Sequence, residues 1–320
     1  MNTQETLIQT VNRPAAAITA AVKEGAVGSY LLLEAPSPLR TLSSAPWGGG
    51  FGYHRTIINR KVDKTYACGD PVTEMNGFLE AAGLNREETA CLLTSVHMSG
   101  LGESHLCLDA PAPVRVGAED QAARSFLDTS GVKPDTPMPS KEYPSAAADS
   151  DTANVTADLD EANAKDFGTA NPVNGIGAAE PSATAAAAAD TGIAVSAWVT
   201  VGYSNKARAG RGLPASALFP GTINIIVAVE GELTDEAMVN AVITATEAKA
   251  AALQDLGVAL EDGSGATGTT TDAVLIASTQ RGRLHRYAGT ATYLGHMIGR
   301  SVYEAAMQSG LAYKKVLPLP

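Results

Sequence analysis

Residues 266–278, "ATGTTTDAVLIAS", join a hydroxyl-rich loop to an apolar run that is typical of a buried strand. A long helical pattern precedes this stretch at residues 234–258, and the strand pattern "GTINIIVAVE" (221–230) precedes that helix. A strand, a helix and a second strand in succession indicate packed α and β layers. This succession therefore predicts an α/β fold class. Its lone Asp272 also raises the question of why a carboxylate lies beside four threonines where a strand begins.

The same succession of patterns occurs twice along the chain. Each half has two strands, a helix and a further strand, and a closing helix follows at residues 291–312. In the first half the helix begins after Asp70 as N-cap, with Pro71 at its first position and Gly83 near its end. The sequence therefore predicts an α/β fold with a layered, mixed sheet and flanking helices, and it suggests two similar ββαβ halves. The strands of the first half are expected within residues 28–35, 40–62 and 89–98, and those of the second half within residues 194–205, 221–230 and 271–278.

The chain divides into three parts by composition. Of its 34 acidic and 23 basic residues, 13 acidic and 4 basic ones lie in residues 117–190, which show little apolar periodicity. Such a segment buries too little apolar surface to offset its ordering entropy. We therefore predict an acidic, low-complexity and mobile insertion at 117–190, between a first half (1–116) and a second half (191–320) of one catalytic domain. An acidic interaction arm or a salt-adaptation feature remains the alternative.

The bulk composition excludes several classes of protein. A net charge of -11 makes nucleic acid or an anionic membrane a poor partner, because phosphates repel an acidic chain. No apolar run is long enough to span a bilayer, and the N-terminus has no basic signal-peptide region. Three widely spaced cysteines without a CxxC pair argue against disulfides and structural zinc. We expect a cytoplasmic protein, with a homo-oligomer left open.

The helix at residues 234–258 carries a cation in an unexpected place. With Val242 at the centre of the apolar face, Lys249 falls in the middle of that face. A lysine there must extend its ammonium to solvent, pair with an acid or contact a ligand, because an isolated buried ammonium is costly. Asp272, at the start of the following strand, is the expected partner. Glu247 projects from the opposite side of the helix, as a solvated residue does.

The loop before Asp272 offers hydroxyls and free backbone N–H groups. A loop of this kind can hold an anion or stabilise an oxyanion, and it is not a Walker A loop because no Gly-Lys-Ser/Thr follows. We predict that Asp272 orients or deprotonates a nucleophile and that Thr267 or Thr269 lies at the reacting group. Lys249 would hold Asp272 ionised or stabilise the oxyanion itself. The alternative is a plain surface turn.

Two other glycine-rich loops suit close contact with a bulky ligand. "PWGGGFGYHR" contains Gly50 and is followed by no βαβ unit, so a dinucleotide site is rejected. "VGYSNKARAG" contains Asn205, whose side chain can hydrogen-bond an amide. The predicted ligand contacts are Asn205, Asn224, Gly50, Asn59 and Glu247.

Metal binding is not predicted. The five histidines form no HxxxH or HExxH pair, and the spacing of His97, Glu103, His105 and Cys107 matches no established metal motif. No cofactor is expected either.

Several stretches resemble the adenosylcobinamide amidohydrolase family. They are "GTINIIVAVEGEL", "ITATEAKAAALQDLGV", "ATGTTTDAVLIAS" and "YAGTATYLGHMIGRSVYEAA", together with "RTLSSAPWGGGFGYHRTIINRKV" and "VTVGYSNKARAG". The resemblance covers nearly all of the chain outside residues 117–190. His296 stands where the family pattern leads us to expect a more acidic residue, so we assign it no catalytic role.

The resemblance implies a corrinoid salvage enzyme. Members of this family hydrolyse the amide between aminopropanol and a propionate side chain of adenosylcobinamide, which yields adenosylcobyric acid. The corrinoid is then the substrate, contacted by the residues named above. Two other hypotheses remain open at this point: a corrinoid-binding protein without turnover, and a self-processing amidase with a threonine nucleophile.

Overall fold

The computed structural model describes residues 8–66, 68–108, 192–212 and 222–316. The acidic segment predicted at residues 117–190 lies outside these residues. Three helices and thirteen strands are described. The helices are α1 (Pro71–Ala81), α2 (Asp235–Asp255) and α3 (Tyr293–Val316); the strands are β1 (Ile8–Thr10), β2 (Thr19–Gly25), β3 (Gly28–Ser43), β4 (Gly50–Lys61), β5 (Thr89–Thr94), β6 (Leu101–Leu108), β7 (Ile193–Val201), β8 (Lys206–Ala207), β9 (Ile223–Glu230), β10 (Glu232–Leu233), β11 (Gly268–Thr269), β12 (Ala273–Ser278) and β13 (Leu284–His285).

Nine of these strands form one mixed sheet in the order β1-β6-β7-β9-β12-β3-β4-β5, with β2 paired to β3. The predicted α/β class with a layered mixed sheet is confirmed. In the first half β3 and β4 are antiparallel, and β4 runs through α1 into the parallel strand β5. In the second half β7 and β9 are antiparallel, and β9 runs through α2 into the parallel strand β12. Each half is therefore a ββαβ unit with the same pairing scheme.

The two units share an interior. One apolar cluster combines Leu33, Ile57 and Leu92 of the first unit with Trp198 and Ile226 of the second, although their strands are not all neighbours in the sheet. A second cluster packs α2 and α3 against the other face of the second unit, and a third packs α1 against the first unit. The helices therefore pack on the outer face of each unit, and the inner faces of the two units pack against each other.

Buried polar groups cross this interior and pair with one another. The amide of Asn224 donates to Asn59 Oδ1 and to the carbonyl of Leu93, both at 2.8 Å. Asn59 in turn donates to Thr200 Oγ1 at 3.0 Å. Because a buried amide without a partner is costly, this network specifies how the two units are aligned.

Local signals in the sequence set the helix ends correctly. Asp70 accepts a hydrogen bond from the Thr73 amide at 3.1 Å, as an N-cap does, and Thr234 accepts one from the Ala237 amide at 3.3 Å. Gly83 and Gly257 follow α1 and α2 with positive φ angles of 68° each, a backbone conformation that favours glycine.

The buried face of α2 differs from the predicted one. Val239 is 47% exposed and Val242 is only partly buried, whereas the alanines at positions 241, 245, 248 and 252 are buried. The centre of the buried face is therefore rotated by about 60° from Val242 towards Ala245. Alanine carries a weak hydrophobic signal, but its small side chain lets α2 approach the sheet and α3 closely. Lys249 lies at one side of this face and is still buried.

Several strands were not predicted, among them β2 and β6. All side chains of β2 are exposed, so its sequence lacks the alternation that marks a strand. In β6, Glu103, His105 and Cys107 alternate with residues that face the other side of the sheet.

Within the described residues no group of three metal-ligating side chains occurs. Among the helices of the described part, none combines the length and the apolar character that a membrane crossing requires.

Candidate active site

Two loops that are far apart in sequence meet at the site. β8 pairs with β11 in antiparallel register, so that Gly268 lies opposite Ala207 and Thr269 opposite Lys206. The amide of Asn205 donates to Thr270 Oγ1 at 2.6 Å. The loop predicted to carry hydroxyls and the loop predicted to carry Asn205 are therefore one structural unit.

Further hydrogen bonds tie the same loops together. Thr267 Oγ1 accepts a hydrogen bond from the Ala209 amide at 2.9 Å, and the Thr267 amide donates to the carbonyl of Ala207 at 2.9 Å. Arg208 donates to the carbonyl of Gly265 at 2.6 Å. Because these bonds occupy backbone and side-chain groups on both loops, the Thr267 side chain is held in one place at the edge of the site.

The Asp272 carboxylate is the centre of the site, and both of its oxygens accept hydrogen bonds. Oδ1 accepts from the amides of Ile223 and Thr269, each at 3.1 Å, and from the Thr269 hydroxyl at 2.5 Å. Oδ2 accepts from Lys249 Nζ at 2.5 Å. Four donors converge on one carboxylate, so Asp272 holds both Lys249 and Thr269 in position.

The ion pair between Lys249 and Asp272 is largely buried. The two side chains are 8% and 14% exposed. Helix α2 supplies the lysine and the loop before β12 supplies the acid, as the sequence predicted. The ammonium is paired, and it does not extend into bulk solvent as the alternative interpretation required. A pair shielded from water in this way interacts more strongly than a surface pair, and the loss of either partner leaves the other charge uncompensated.

Gly268 lies directly against this pair. A Cβ atom on Gly268 would lie 2.8 Å from Lys249 Nζ and would overlap the Asp272 carboxylate. Glycine at this position therefore allows the loop to close over the charges. The sequence showed the glycine among threonines, but only the spatial position of Lys249 makes its role visible.

A recess of about 460 Å³ opens beside the pair. Five of the residues that the sequence selected line it, and the chain brings them together from α2 and from the loop before β12: Glu247, Lys249, Thr267, Thr269 and Asp272. Its lining contains two cations, Lys249 and Arg208, two carboxylates and several hydroxyls, so it can polarise a carbonyl group and position a water molecule. Asn205 contacts the lining through Thr270.

The recess lies at the amino ends of the parallel strands β9 and β12. Asp272 immediately precedes β12, and its carboxylate binds the amide of Ile223, where β9 begins. Many α/β proteins place their ligands at the carboxyl ends of strands instead. Because α2 runs back from the carboxyl end of β9 to the amino end of β12, the later part of the helix supplies Lys249 to this edge.

Three other residues predicted to contact a ligand lie elsewhere. The side chains of Asn59 and Asn224 are buried between the two ββαβ units, at 2% and 1% exposure, and bond to each other. Gly50 is the first residue of β4, opposite Ser43 of β3, with a φ angle of 77°. None of the three lines the recess. Asn224 pairs through the sheet with Ala273, the residue after Asp272.

These features define an α/β protein with a buried carboxylate–lysine pair, an aligned threonine hydroxyl and an open polar recess. The family model described as adenosylcobinamide amidohydrolase matches residues 15–109 and 139–318. The chain therefore belongs to the adenosylcobinamide amidohydrolase family.

Comparison with individual proteins gives shorter matches. An adenosylcobinamide amidohydrolase of Halobacterium salinarum is 39% identical over 121 residues, which cover 36% of this chain and 49% of that protein. One from Methanosarcina mazei is 36% identical over 126 residues, which cover 37% and 56%. The chain thus matches about half the length of these curated relatives. Among solved structures, the alignment with the PH0078 protein from Pyrococcus horikoshii covers 96% of this chain and 83% of the PH0078 chain, at 10% identity and a TM-score of 0.36.

Proposed function

We propose that this protein hydrolyses the amide that joins aminopropanol to a propionate side chain of adenosylcobinamide, releasing aminopropanol and adenosylcobyric acid. Membership of the family supports this activity. The observation that carries the proposal is the Lys249–Asp272–Thr269 arrangement at the wall of an open recess. Amide hydrolysis needs an attacking oxygen, a base and stabilisation of the developing oxyanion.

In this proposal Lys249 stabilises the oxyanion. Its ammonium lines the recess and is held by Asp272 at 2.5 Å, so it is in place before the substrate carbonyl arrives. A preorganised positive charge in a site shielded from water stabilises charge that develops in the transition state. Thr269 is aligned by the same carboxylate: its hydroxyl proton is donated to Asp272, so its oxygen is left to accept a hydrogen bond from the attacking water or from the substrate N–H.

Asp272 acts as the positioning residue. Its two oxygens already accept four hydrogen bonds, from Ile223, Thr269 and Lys249, which leaves little capacity to take a further proton. Glu247 is the other acid that lines the recess, and it lies on the far side of α2 from Lys249. We assign to Glu247 the role of base: it accepts a proton from the attacking water and returns it to the leaving amine.

The test is the release of aminopropanol from adenosylcobinamide by purified protein, with the corrinoid product followed by mass spectrometry. Asp272→Asn keeps the shape of the side chain but weakens its hold on Lys249, so we expect kcat to fall by about a hundredfold. Glu247→Gln should lower kcat without unfolding the protein. Intact corrinoid recovered in complex with the wild-type protein would instead indicate a binding protein without turnover. Near-normal turnover by folded Asp272→Asn would remove Asp272 from the mechanism.

A further inference from the structure

The recess is lined by two cations that come from different elements. Helix α2 supplies Lys249, and the loop after β8 supplies Arg208. Lys249 is paired with Asp272, whereas Arg208 forms no ion pair with a carboxylate within the described residues. The charges of Lys249 and Asp272 compensate each other, so Arg208 is left as a cation of the recess without a counter-ion bound to it.

The guanidinium of Arg208 is half-buried and only partly hydrogen-bonded. Its Nη1 donates to the carbonyl of Gly265 at 2.6 Å, and a guanidinium has several further N–H donors. Arg211 in the same loop differs, because it is exposed and pairs with Asp262 at the surface. A half-buried guanidinium with unused donors at the wall of a cavity indicates an acceptor-rich, anionic ligand.

The backbone on both sides of Arg208 is held in place. The carbonyl of Ala207 accepts a hydrogen bond from the Thr267 amide, and the amide of Ala209 donates to Thr267 Oγ1, both at 2.9 Å. The bond to Gly265 fixes the far end of the side chain in addition. Because the guanidinium is ordered before a ligand arrives, little binding energy is lost in ordering it.

The ammonium of Lys249 also has donors to spare. It carries three N–H groups, and Asp272 Oδ2 is its acceptor among the described residues. Since the Lys249 side chain is only 8% exposed, a group inside the recess is the partner that these N–H donors can reach. A buried donor without an acceptor is costly, so Lys249 independently indicates a ligand rich in acceptors.

The number of unused donors fits a carboxylate better than an amide. A carboxylate has two oxygens with about four acceptor positions, and arginine can bind it through two parallel hydrogen bonds. An amide has one carbonyl oxygen, and its N–H groups find no acceptor on a lysine or an arginine. The two cations therefore suit the acid that amide hydrolysis produces more than they suit the neutral substrate.

We propose that Arg208 and Lys249 together bind the carboxylate created on the corrinoid, so that the acid product competes with the substrate for the recess. The inference rests on the proposed function, which supplies this carboxylate. Hydrolysis breaks the carbon–nitrogen bond, the attacking water supplies the second carboxylate oxygen, and the amine leaves with the released proton as an ammonium. A neutral group thereby becomes an anion beside two cations, and the acid product is held more tightly than the amide.

The kinetic test measures inhibition of aminopropanol release by added adenosylcobyric acid. Arg208→Gln removes the charge and the paired N–H groups, so the ratio of the inhibition constant Ki for the acid to KM for the amide should rise by at least about tenfold. Arg211→Gln is the matched control in the same loop and should leave this ratio unchanged. An unchanged ratio in folded Arg208→Gln would overturn the proposal, as would an equal rise in both variants.

A binding measurement separates this inference from the proposed function. Equilibrium dialysis with adenosylcobyric acid needs no turnover, and a Kd that rises at least about tenfold in Arg208→Gln supports the carboxylate site even if no amide is cleaved. Propionate should displace the bound acid, whereas propionamide at the same ionic strength should not. Equal displacement by the two compounds, or displacement by inorganic phosphate in preference to propionate, would overturn the proposal.

A second variant keeps the test valid if Arg208→Gln does not fold. Arg208→Lys retains the charge but cannot form two parallel hydrogen bonds with one carboxylate. Its Kd for the acid should rise by about threefold or more, and Arg211→Lys should keep the wild-type Kd. Equal values of Kd for Arg208→Lys and the wild-type protein would contradict paired binding by the guanidinium.

Discussion

The two ββαβ units share one strand-pairing scheme but differ in how the helix returns to the last strand. In the first unit residues 82–88 connect α1 to β5, and in the second unit the longer stretch 256–272 connects α2 to β12. The longer connection contains the threonines and Gly268 that line the recess. The shared topology therefore supplies the framework of both units, whereas the longer connection of the second unit supplies the residues of the candidate site.

An acidic residue precedes the last strand of both units. Glu88 precedes β5 and lies 3.8 Å from Arg55, with side chains that are 42% and 45% exposed. Asp272 precedes β12 and lies 2.5 Å from Lys249, with both side chains largely buried. The same sequence position therefore carries a solvated ion pair in one unit and a buried one in the other. The energetic consequences should differ accordingly.

The largest effect on stability is expected when the buried Lys249–Asp272 pair is broken. Lys249→Met leaves the Asp272 carboxylate buried without its cation, so the free energy of unfolding should fall by about 3–5 kcal/mol. Urea unfolding followed by circular dichroism measures it. Arg55→Met is the matched control in the first unit, where the loss should stay within about 1 kcal/mol. Equal losses of unfolding free energy in the two variants would mean that the buried and the exposed ion pair contribute equally to stability.

A smaller effect is expected when the loop is forced away from the pair. Gly268→Ala places a methyl group against Lys249 Nζ and Asp272, so the loop or the pair must move. Such crowding costs about 1–3 kcal/mol of stability, and a small displacement of catalytic groups lowers kcat by roughly tenfold or more. Gly265→Ala is the control in the same loop, because the nearest atom to its Cβ would be Arg208 Nη1 at 3.8 Å. An equal decrease of kcat in Gly268→Ala and Gly265→Ala would contradict the proposed role of Gly268.

A further prediction concerns pH and compares histidines of both units. Burial lowers the pKa of His54 in β4 below 6.5; burial, and then the charge of Arg283, lower the pKa of His285 in β13. The folded state therefore binds fewer protons than the unfolded state just below pH 6.5, so stability decreases as the pH falls from about 7.5 to about 5.5.

Urea unfolding at several pH values checks this prediction, and His54→Gln should reduce the slope. His97→Gln, at an exposed position, is the matched control. A slope that is unchanged by His54→Gln would assign the pH dependence to other groups.

The smallest effect is expected at the surface pair. Glu88→Gln removes a charge whose side chain is 42% exposed, so the free energy of unfolding should change by about 1 kcal/mol or less. The change should also shrink at high salt, since exposed charges are screened. A loss of unfolding free energy comparable with that of Lys249→Met would show that the difference in exposure between Glu88 and Asp272 does not determine how much each contributes to stability.

Short sequence patterns correctly predicted the helix ends and the buried strand β12. The N-caps Asp70 and Thr234 begin α1 and α2, and the positive φ angles of Gly83 and Gly257 follow their ends. The burial of β12 was visible as an apolar run. Strand β2 was missed because all of its side chains are exposed, and pairing with β3 alone forms it.

The candidate site was predicted unevenly. Lys249 and Asp272 were paired from helix geometry and sequence order, and this pairing is observed, although the buried face of α2 is centred on alanines and not on Val242. Asn59 and Asn224 were predicted to contact the ligand, yet their side chains bond to each other in the interior. A sequence does not show whether an asparagine faces a cavity or a second asparagine from another strand.

Sequence patterns alone predicted the α/β class, the repeated ββαβ succession, the helix ends and the Lys249–Asp272 pair, because these depend on periodicity, caps and spacing within short stretches. Two facts became visible only in three dimensions: Gly268 covers the ion pair, and the loop with Asn205 joins the loop with Thr270. The physical reason is that each of these facts depends on the approach of residues that are distant along the chain, which the packing of the two units fixes.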